Sequence, residues 1–385
     1  MRKGWEYKKL GEVCEVVTGT TPKTNIPEYW GKGHYWVTPA ELNDTTVYID
    51  KTERQITDEA LSKTKLRLLP VGTVLLSSRA PIGKVAIANA EMYCNQGFKN
   101  CICSEAIYNK YLFYFLRLKK DYLNSLGRGA TFKEISKSIV ESIKIPLPPK
   151  STQLAIVSEL DKINELIRLK KEQLKDFDNL AQSLFYEMFG DPVENEKGWE
   201  VKKLGEIAKS AIGLTYKPEN VTEELSGTVV LRSSNIQNSI LDFNDIVRVN
   251  VLVKEDKMVN DGDILMCSRN GSFRLVGKVA LIKGLKERMS YGAFMTIIRS
   301  PYNPYLFEYF KTPAFRQYLI TGKTTTVNQI TVKMLNNLTL PLPPLSLQQL
   351  FAQRIEQIER EKSEVQKSIQ DLETLLASRM QYWFE

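Results

Sequence analysis

The sequence predicts an α+β fold: two globular, β-rich domains with helices, separated by two long helices that pair as an antiparallel coiled coil, with a pseudo-twofold internal repeat. Three observations support this prediction. Blocks of sequence recur at offsets of 190 to 195 residues, short β-rich runs fill the first part of each copy, and a heptad pattern closes each copy. We predict globular domains at 1–149 and 191–344, and spacer helices at 150–190 and 345–385.

The internal repeat rests on matches that keep the same order in both copies. The matching pairs are 4–13 (GWEYKKLGEV) with 198–207 (GWEVKKLGEI), 78–79 (SR) with 268–269, 83–86 (GKVA) with 277–280, 109–113 (NKYLF) with 303–307 (NPYLF), and 145–149 (IPLPP) with 340–344 (LPLPP). Chance does not produce such a collinear series. The two copies therefore share a scaffold and differ where they contact different things.

The elements of one copy can be taken in order. Runs at 72–77 and 84–88 are β-rich and bounded by Gly and Pro, which predicts strands. An aromatic stretch at 108–122, matched by 305–318, predicts a helix. A last strand (Ile143 and Ile145; Leu338 and Leu340) then runs into the Pro-Leu-Pro-Pro segment. Proline ends that strand, so we expect Ser151 and Ser346 to cap the helices that follow.

A heptad register follows each proline segment and keeps one frame over five heptads. The seam positions are Ile156, Leu160, Ile163, Ile167, Lys170, Leu174, Phe177, Ala181, Leu184 and Met188 in the first helix, and Phe351, Ile355, Ile358, Lys362, Val365, Ile369, Leu372, Leu376, Arg379 and Trp383 in the second. Such a seam is typical of a coiled coil, with Lys170 and Lys362 as polar breaks that fix its register. The alternative is two unrelated helices that pack on their own domains. A helix of about 37 residues is about 55 Å long.

The charge of the chain is unevenly distributed. The net charge of +8 divides into +8 for 1–150, −4 for 151–195, +6 for 196–345 and −2 for 346–385. Phosphate neutralisation needs Lys and Arg, so the two basic segments are the candidate DNA contacts. The alternative is scattered solubilising charge.

The composition also bears on location and redox state. No apolar run is long enough to span a membrane and the first residues lack a signal-peptide core, so we expect a cytoplasmic protein. The cysteines number five, which argues against a disulfide framework. We expect structural thiols and no metal site, because His34 is the only histidine.

No motif for catalysis is recognisable in the sequence. An amino-methyltransferase needs an Asp/Asn-Pro-Pro-aromatic loop, and Asn303-Pro304-Tyr305 lacks the second proline. Nucleophilic triads fail because the single imidazole has no counterpart in the second copy. The run Glu255-Asp256-Lys257 is a charged surface segment rather than a nuclease centre. We predict a non-catalytic protein with no cofactor of its own.

This pattern resembles the specificity subunit of a type I restriction–modification system. The features that carry the resemblance are the duplicated GWExKKLGE segment, the two Pro-Leu-Pro-Pro segments followed by Gln153 and Gln348, the duplicated SR…GKVA block and the two long helices. The resemblance implies target-recognition domains that each read one half of a bipartite DNA site, with helices that set the gap. It also implies two modification subunits that bring S-adenosylmethionine for adenine methylation, and ATP-dependent restriction subunits that cut unmethylated DNA.

The residues that contact DNA are chosen by chemistry and by equivalence in the repeat. Arg79/Arg269 and Lys84/Lys278 lie at the ends of β-rich runs, and Arg128, Lys133 and Lys323 lie in Gly/Thr-rich loops. Arg232, Asn235 and Asn238 replace Thr38, Glu41 and Asp44, a change that different base preferences would produce. The full set of candidates is Thr38, Glu41, Arg79, Lys84, Arg128, Lys133, Arg232, Asn235, Asn238, Arg269, Arg274, Lys278, Lys323 and Asn328.

Several alternatives remain open on the sequence alone. Each candidate could be a solvated surface side chain, and the Ser-Arg pair could instead hold a buried ion pair that fixes the scaffold. The aromatic residues near the helix ends (Tyr186, Phe189, Tyr382, Trp383 and Phe384) suit either partner subunits or internal packing. A stand-alone pseudo-dimeric DNA-binding protein and a coiled-coil scaffold that binds only protein are the other functional hypotheses.

Overall fold

The computed structural model describes residues 5–79, 81–128, 133–321 and 328–385. In the first copy the strands are β1 (Glu6–Lys9), β2 (Cys14–Thr18), β3 (Trp30–Val37), β4 (Tyr48–Ile49), β5 (Gln55–Ile56), β6 (Val74–Leu76), β7 (Val85–Ala88), β8 (Tyr93–Cys94), β9 (Lys99–Cys103) and β10 (Lys144–Leu147). The helices are α1 (Leu10–Val13), α2 (Asp58–Lys63), α3 (Asn109–Leu118), α4 (Lys120–Leu126), α5 (Lys137–Ser142) and α6 (Lys150–Phe189), with 3-10 turns at Pro27–Tyr29 and Pro39–Glu41.

The second copy repeats this order with changes in its connections. Its strands are β11 (Glu200–Lys203), β12 (Lys209–Ile212), β13 (Val221–Thr222), β14 (Thr228–Leu231), β15 (Ile236–Gln237), β16 (Ile240–Leu241), β17 (Arg248–Val249), β18 (Ile264–Cys267), β19 (Val279–Leu281), β20 (Met289–Tyr291), β21 (Met295–Arg299) and β22 (Thr339–Leu342). Its helices are α7 (Leu204–Ile207), α8 (Asn303–Tyr309), α9 (Pro313–Thr321), α10 (Val332–Asn337) and α11 (Leu345–Phe384), with 3-10 turns at Pro218–Asn220, Ser233–Asn235, Glu255–Lys257 and Phe273–Leu275.

The chain forms two compact units, and each contains parts of both long helices. The first unit consists of 1–171 and 367–385, and the second of 172–366. Each unit therefore joins one globular domain to the beginning of one long helix and the end of the other. The α+β class with two repeated domains and two long helices is confirmed.

The same sheet arrangement recurs in both units. In the first, strand order is β2-β9-β6-β7-β4 in one sheet and β5-β3-β8 in another; in the second, β12-β21-β18-β19 corresponds to the former and β13-β17-β14-β20 to the latter. The second sheet of each unit contains one parallel pair, β3 with β8 in the first unit and β14 with β20 in the second. The parallel pair carries the loops on which the candidate site depends.

The two proline-containing strands pair with the first strand of their own copy. Strand β10 runs antiparallel to β1, with Pro146 opposite Tyr7, and β22 pairs with β11 in the same way. Proline is tolerated because each of these sheets has only two strands, so β10 and β22 have an unpaired edge. This pairing explains why the GWExKKLGE segment and the Pro-Leu-Pro-Pro segment recur together.

The long helices begin at 150 and 345, where the predicted spacer segments begin, and not after the serines that were expected to cap them. Because α6 starts at Lys150 and α11 at Leu345, Ser151 and Ser346 lie in the first turn and the prediction that they cap it is wrong. The cap positions fall on Pro149 and Pro344, whose carbonyls accept the first helical hydrogen bonds. Buried Gln153 fixes this turn by donating to Ala106 and Pro148 carbonyls and accepting from the Tyr108 amide.

The aromatic stretches are each two helices rather than one. The first breaks at Lys119 between α3 and α4, and the second breaks at 310–312 between α8 and α9. The broken form lets both halves bury aromatic side chains. Tyr111 and its counterpart Tyr305 are fully buried and donate to the carbonyls of Pro146 and Pro341, respectively.

All five cysteines are free thiols. Four of them are buried, and burial raises the pKa of Cys94 to about 12. A thiol with so high a pKa is not a nucleophile near neutral pH. No described helix is long and apolar enough to cross a membrane.

Candidate nucleic-acid interface

The loop after β2 crosses the end of β8 so closely that the two backbones are in contact. A Cβ atom on Gly19 would lie 1.9 Å from the carbonyl oxygen of Asn95, so only glycine fits. The next residue, Thr20, donates its amide proton to the Cys94 carbonyl at 2.9 Å. The crossing fixes where the loop at 95–97 leaves the sheet.

The second unit has the same crossing. A Cβ atom on Gly213 would lie 2.2 Å from the Tyr291 carbonyl oxygen, and the Leu214 amide donates to that carbonyl at 2.6 Å. These residues occupy the positions of Gly19, Cys94 and Thr20 in the repeat. Two copies thus build one backbone framework and attach different loops to it, namely 95–97 and 292–294.

The 3-10 turn after β3 explains why Glu41 recurs as Asn235. In the first unit the Glu41 carboxylate accepts the Thr38 amide proton at 2.6 Å and the Glu53 amide proton at 2.9 Å. In the second, the Asn235 amide oxygen accepts from the Arg232 amide at 2.8 Å. Both side chains close the same turn, so the exchange does not by itself indicate different base preferences.

The polar groups of Asn235 and Glu41 are engaged within the fold, and base contacts by these two residues stay a prediction. Asn235 is 1% exposed, and its nitrogen donates to the carbonyls of Asp242 and Asp245 at 2.9 and 3.0 Å. Its hydrogen-bonding groups serve the turn, and reading a base would require breaking that turn. Arg232 is held by an ion pair with Asp245 at 2.8 Å, and Asn238 is exposed with a positive φ of 51°.

Lys84 and Lys278 play equivalent structural parts. The Lys84 ammonium donates to the Pro39 carbonyl at 3.2 Å, and the Lys278 ammonium donates to the Ile236 carbonyl at 2.9 Å. Both side chains are half-buried, and burial lowers the pKa of Lys278. Lys84 directly precedes β7 and Lys278 directly precedes β19, so each lysine links the 3-10 turn to the strand that begins after the lysine. The two ammonium groups are therefore less available for contact with phosphate.

Arg79 occupies a half-exposed position with a defined partner. Its Nε donates to Glu134 at 2.8 Å, while 47% of its side chain is exposed. The other Glu134 oxygen pairs with Lys99 at 3.0 Å, and Lys99 is almost fully buried. Partial burial of the Glu134 carboxylate acts to raise its pKa, but the hydrogen bonds from Arg79 and Lys99 outweigh this effect and lower the pKa. The ion pair that the sequence left as an alternative is present, but it is not buried.

Arg269 has a different environment from its counterpart. It is exposed, its backbone lies opposite Gln329, and its guanidinium lies 5.1 Å from the ring centre of Phe294. A neutral residue thus replaces Glu134, and an aromatic ring accompanies the arginine. The repeated arginine is presented by the same strand end but with different neighbours.

The remaining candidates divide by exposure. Arg128, Lys133 and Arg274 are exposed, and Arg128 exchanges backbone hydrogen bonds with Glu134, which places it beside Arg79. Asn328 donates to the Gly271 carbonyl at 2.9 Å. Lys323 lies outside the described residues.

Sequence reasoning missed two exposed side chains on the loops at the crossing. Gln96 accepts a hydrogen bond from the Thr21 hydroxyl and lines a pocket of about 340 Å³ together with Arg79 and Lys84. Phe294 is 57% exposed in the second unit. Strand pairing aligns the two loops at an offset of 197, which differs from the 194 of the sequence blocks. That shift concealed the correspondence.

The long helices pack antiparallel within each unit. In the first unit Glu159 pairs with Arg379, and Lys171 pairs with Glu373 at 2.7 Å. In the second, Asp178 pairs with the seam residue Lys362 at 2.8 Å. In these pairs, higher residue numbers in α6 go with lower residue numbers in α11, so the two helices run antiparallel, as the sequence predicts. The buried seam residues are Ile156, Leu160, Ile163, Ile167, Ala181, Leu184, Met188, Phe351, Ile358, Val365 and Ile369. The half-buried seam residues are Lys170, Leu174, Phe177, Ile355, Lys362, Leu372, Leu376, Arg379 and Trp383.

Aromatic residues anchor the helix ends inside each unit. Phe384 packs on Tyr111 with ring centres 5.0 Å apart, and its repeat counterpart Phe189 packs on Tyr305 at the same distance. Both phenylalanines are 3% exposed, which favours internal packing over partner contact for these two. Tyr382 is 54% exposed.

The described part of the chain contains no cluster of three His, Cys, Asp or Glu side chains that would hold a metal ion. What the two units share is a framework that presents exposed, mostly basic or neutral side chains on short loops. Such a duplicated arrangement is suited to a DNA-reading protein whose two domains differ at their loops.

Comparison with known proteins gives the family. The family model described as "Type I restriction modification DNA specificity domain" matches the chain twice, at 2–176 and 196–374. The chain belongs to this family. The specificity subunit of the type I restriction enzyme MjaIX of Methanocaldococcus jannaschii is 30% identical, over 91% of this chain and 85% of that protein. The EcoKI specificity subunit of Escherichia coli K12 is 23% identical, over 95% and 84%.

Solved structures agree in fold. A chain from a structure of a type I restriction–modification system has a TM-score of 0.66 at 21% identity and covers 99% of this chain and 97% of that one. The specificity subunit of M. genitalium has a TM-score of 0.54 at 15% identity and covers 99% and 96%. The resemblance noted in the sequence is confirmed, and the family fits a specificity subunit rather than a stand-alone DNA-binding protein.

Proposed function

We propose that this chain is the sequence-specificity subunit of a type I restriction–modification complex, in which each globular domain reads one half of a bipartite site in double-stranded DNA. The observation that carries the proposal is the duplicated crossing at Gly19 and Gly213, which holds two chemically different loops on one framework. A protein that reads one half-site twice would have no need for different loops. Two different half-sites require them.

The long helices have two roles in this proposal. They set the number of unread base pairs between the half-sites, because a rigid pair of helices fixes the spacing of whatever it carries. They also offer surface to two modification subunits and to restriction subunits. The acidic side chains along α6 and α11 are unsuited to phosphate. This chain itself stays non-catalytic; S-adenosylmethionine and ATP belong to the partners.

The DNA contacts in this proposal come from the exposed residues near the crossings. Arg79, Arg128 and Lys133 serve the first domain, and Arg269 and Arg274 serve the second, since all five are exposed. Guanidinium groups suit both phosphate and the O6/N7 edge of guanine. Lys84 and Lys278 contribute mainly by holding the turns in place.

The decisive experiment maps adenine methylation across the host genome with and without this gene. We expect one bipartite motif, two short defined halves around a fixed gap, to lose methylation when the gene is removed and to regain it when the gene is restored. Methylation that is unchanged by removal would contradict the proposal.

Copurification tests the partners separately. A tagged chain should retain a stoichiometric, larger protein that binds S-adenosylmethionine. A chain that binds DNA with sequence preference but retains no such protein would instead support a self-sufficient DNA-binding protein.

A further inference from the structure

We infer that the loop at 95–97 and its counterpart at 292–294 read base edges, through Gln96 in the first domain and Phe294 in the second, each beside the repeated arginine. The inference rests on the proposed function and deepens it, because it assigns the discriminating contact in each half-site. Gln96 suits adenine, and the Phe294 ring suits the methyl group of thymine.

The first step is that the loop backbone is fixed before any DNA arrives. The Gly97 amide donates to the Asn95 side chain at 2.8 Å, and the Ser78 amide donates to the Gly97 carbonyl at 2.7 Å. Gly19 presses against Asn95 from the other side. A side chain on such a loop loses little backbone entropy on binding, which favours a specific contact.

The second step concerns the chemistry gathered in the first domain. Gln96 is exposed, and the Thr21 hydroxyl donates to its amide oxygen, which orients the amide. That oxygen keeps a second lone pair and the amide nitrogen carries two protons, so one acceptor and one donor remain for an adenine edge. Arg79 lines the same pocket, with its Nε held by Glu134.

The third step is the contrast with the second domain. The Ser268 and Arg269 amides both donate to the Phe294 carbonyl, at 2.9 and 3.1 Å, so the loop is attached to the same strand end. Its exposed ring stands where the first domain has Gly97, and the neighbouring positions Gly292 and Ala293 carry no amide side chain. The backbone framework of the loop is the same in both domains, but the exposed side chain is an amide in the first and an aromatic ring in the second.

The fourth step is elimination among the other differences at equivalent positions. Glu41 and Asn235 close the 3-10 turns, and the lysines tie those turns down. Their side chains are occupied within the fold. Gln96 and Phe294 combine exposure, a fixed backbone and a chemical difference between the copies.

The test uses the complete chain in complex with its modification subunits. The methylation map defines the bipartite motif, and a panel of duplexes then carries one base-pair change each. Competition binding compares Gln96→Ala and Phe294→Ala with the unaltered chain. The control for Gln96→Ala is Gln370→Ala, which changes an exposed glutamine on α11. The control for Phe294→Ala is Phe243→Ala, which changes another half-exposed phenylalanine of the second domain.

We expect Gln96→Ala to lower discrimination at one position of one half-site by roughly 5- to 150-fold. Phe294→Ala should lower it at a position of the other half, by an amount toward the lower end of that range. Gln96→Glu should shift the preferred base at the affected position toward cytosine, since a carboxylate accepts from the cytosine amino group. The two controls should leave every position unchanged.

Three outcomes would overturn the inference. These are discrimination that is unchanged in both variants, binding that weakens equally for all duplexes, and changes from both variants that fall in the same half-site. A failure of the proposed function looks different, because the unaltered chain would then direct no bipartite methylation and no panel could be defined.

Discussion

Truncation of Phe384 to alanine should release the end of α11 from the first unit. The ring is 3% exposed and packs on Tyr111 and Phe115, with ring centres 5.0 and 5.9 Å away. Removing a buried phenylalanine ring costs about 3–5 kcal/mol. Because Phe384 is the last residue of its helix, the end of the helix can relax into part of the cavity, so we expect about 3 kcal/mol.

Hydrogen–deuterium exchange measured peptide by peptide is the suitable assay, because it reports each unit separately. A loss of about 3 kcal/mol should speed exchange through local opening by roughly 150-fold in the peptides that cover 367–385 and the start of α6. The matched variant is Phe189→Ala, which removes the equivalent contact with Tyr305. It should speed exchange in the second unit and leave the first as it was.

Two results would refute this reasoning. One is a change of less than about tenfold for Phe384→Ala, which would mean that the ring is not a principal anchor of the helix end. The other is an equal effect on both units from either variant. That result would show that the units open together and that the separate packing of each helix end has no energetic meaning.

Three further predictions follow from contacts within single units. A fragment of residues 1–190 should dimerise in sedimentation analysis. In the dimer, the end of α6 from one copy would cover the core of the other copy, in the place that the end of α11 takes in the whole chain. A stable monomer would contradict this. For Glu159, hydrogen bonds from Arg379 lower the pKa, so its stabilisation is present above the unfolded pKa of about 4.3 and is lost as pH falls through the lower folded value. Glu159→Gln should flatten that acid dependence of the urea midpoint, and an unchanged slope would argue against it. Gly19→Ala should lower stability by about 1–3 kcal/mol in thermal unfolding, because its methyl group would meet the Asn95 carbonyl.

The sequence predicts the architecture well because the architecture depends on periodic and repeated patterns. The heptads along 150–190 and 345–385 are visible in a few turns of helix, and the repeated blocks need no knowledge of contacts. Other features require partners that lie far along the chain. The pairing of β1 with β10 joins residues more than a hundred positions apart, and nothing local in either strand identifies the other.

The candidate site was harder to predict, for a physical reason that Asn235 illustrates. Its residue type suits adenine, but its hydrogen bonds to Asp242 and Asp245 carbonyls make it part of a turn. Residue type alone does not reveal which polar groups a fold already uses. Conversely, Phe294 carries no charge and attracts no attention in a search for basic residues. Its exposure on a fixed loop becomes visible only in the structure.

The glycine crossing has a consequence for how such proteins diversify. Gly19 and Gly213 secure the backbone through contacts that do not involve the tips of the loops above them. New side chains on those tips therefore cost the fold little, because exposed substitutions away from packed features change stability by only about 0.5 kcal/mol. Selection for a new DNA target can then act on a few codons without compensating changes in the core.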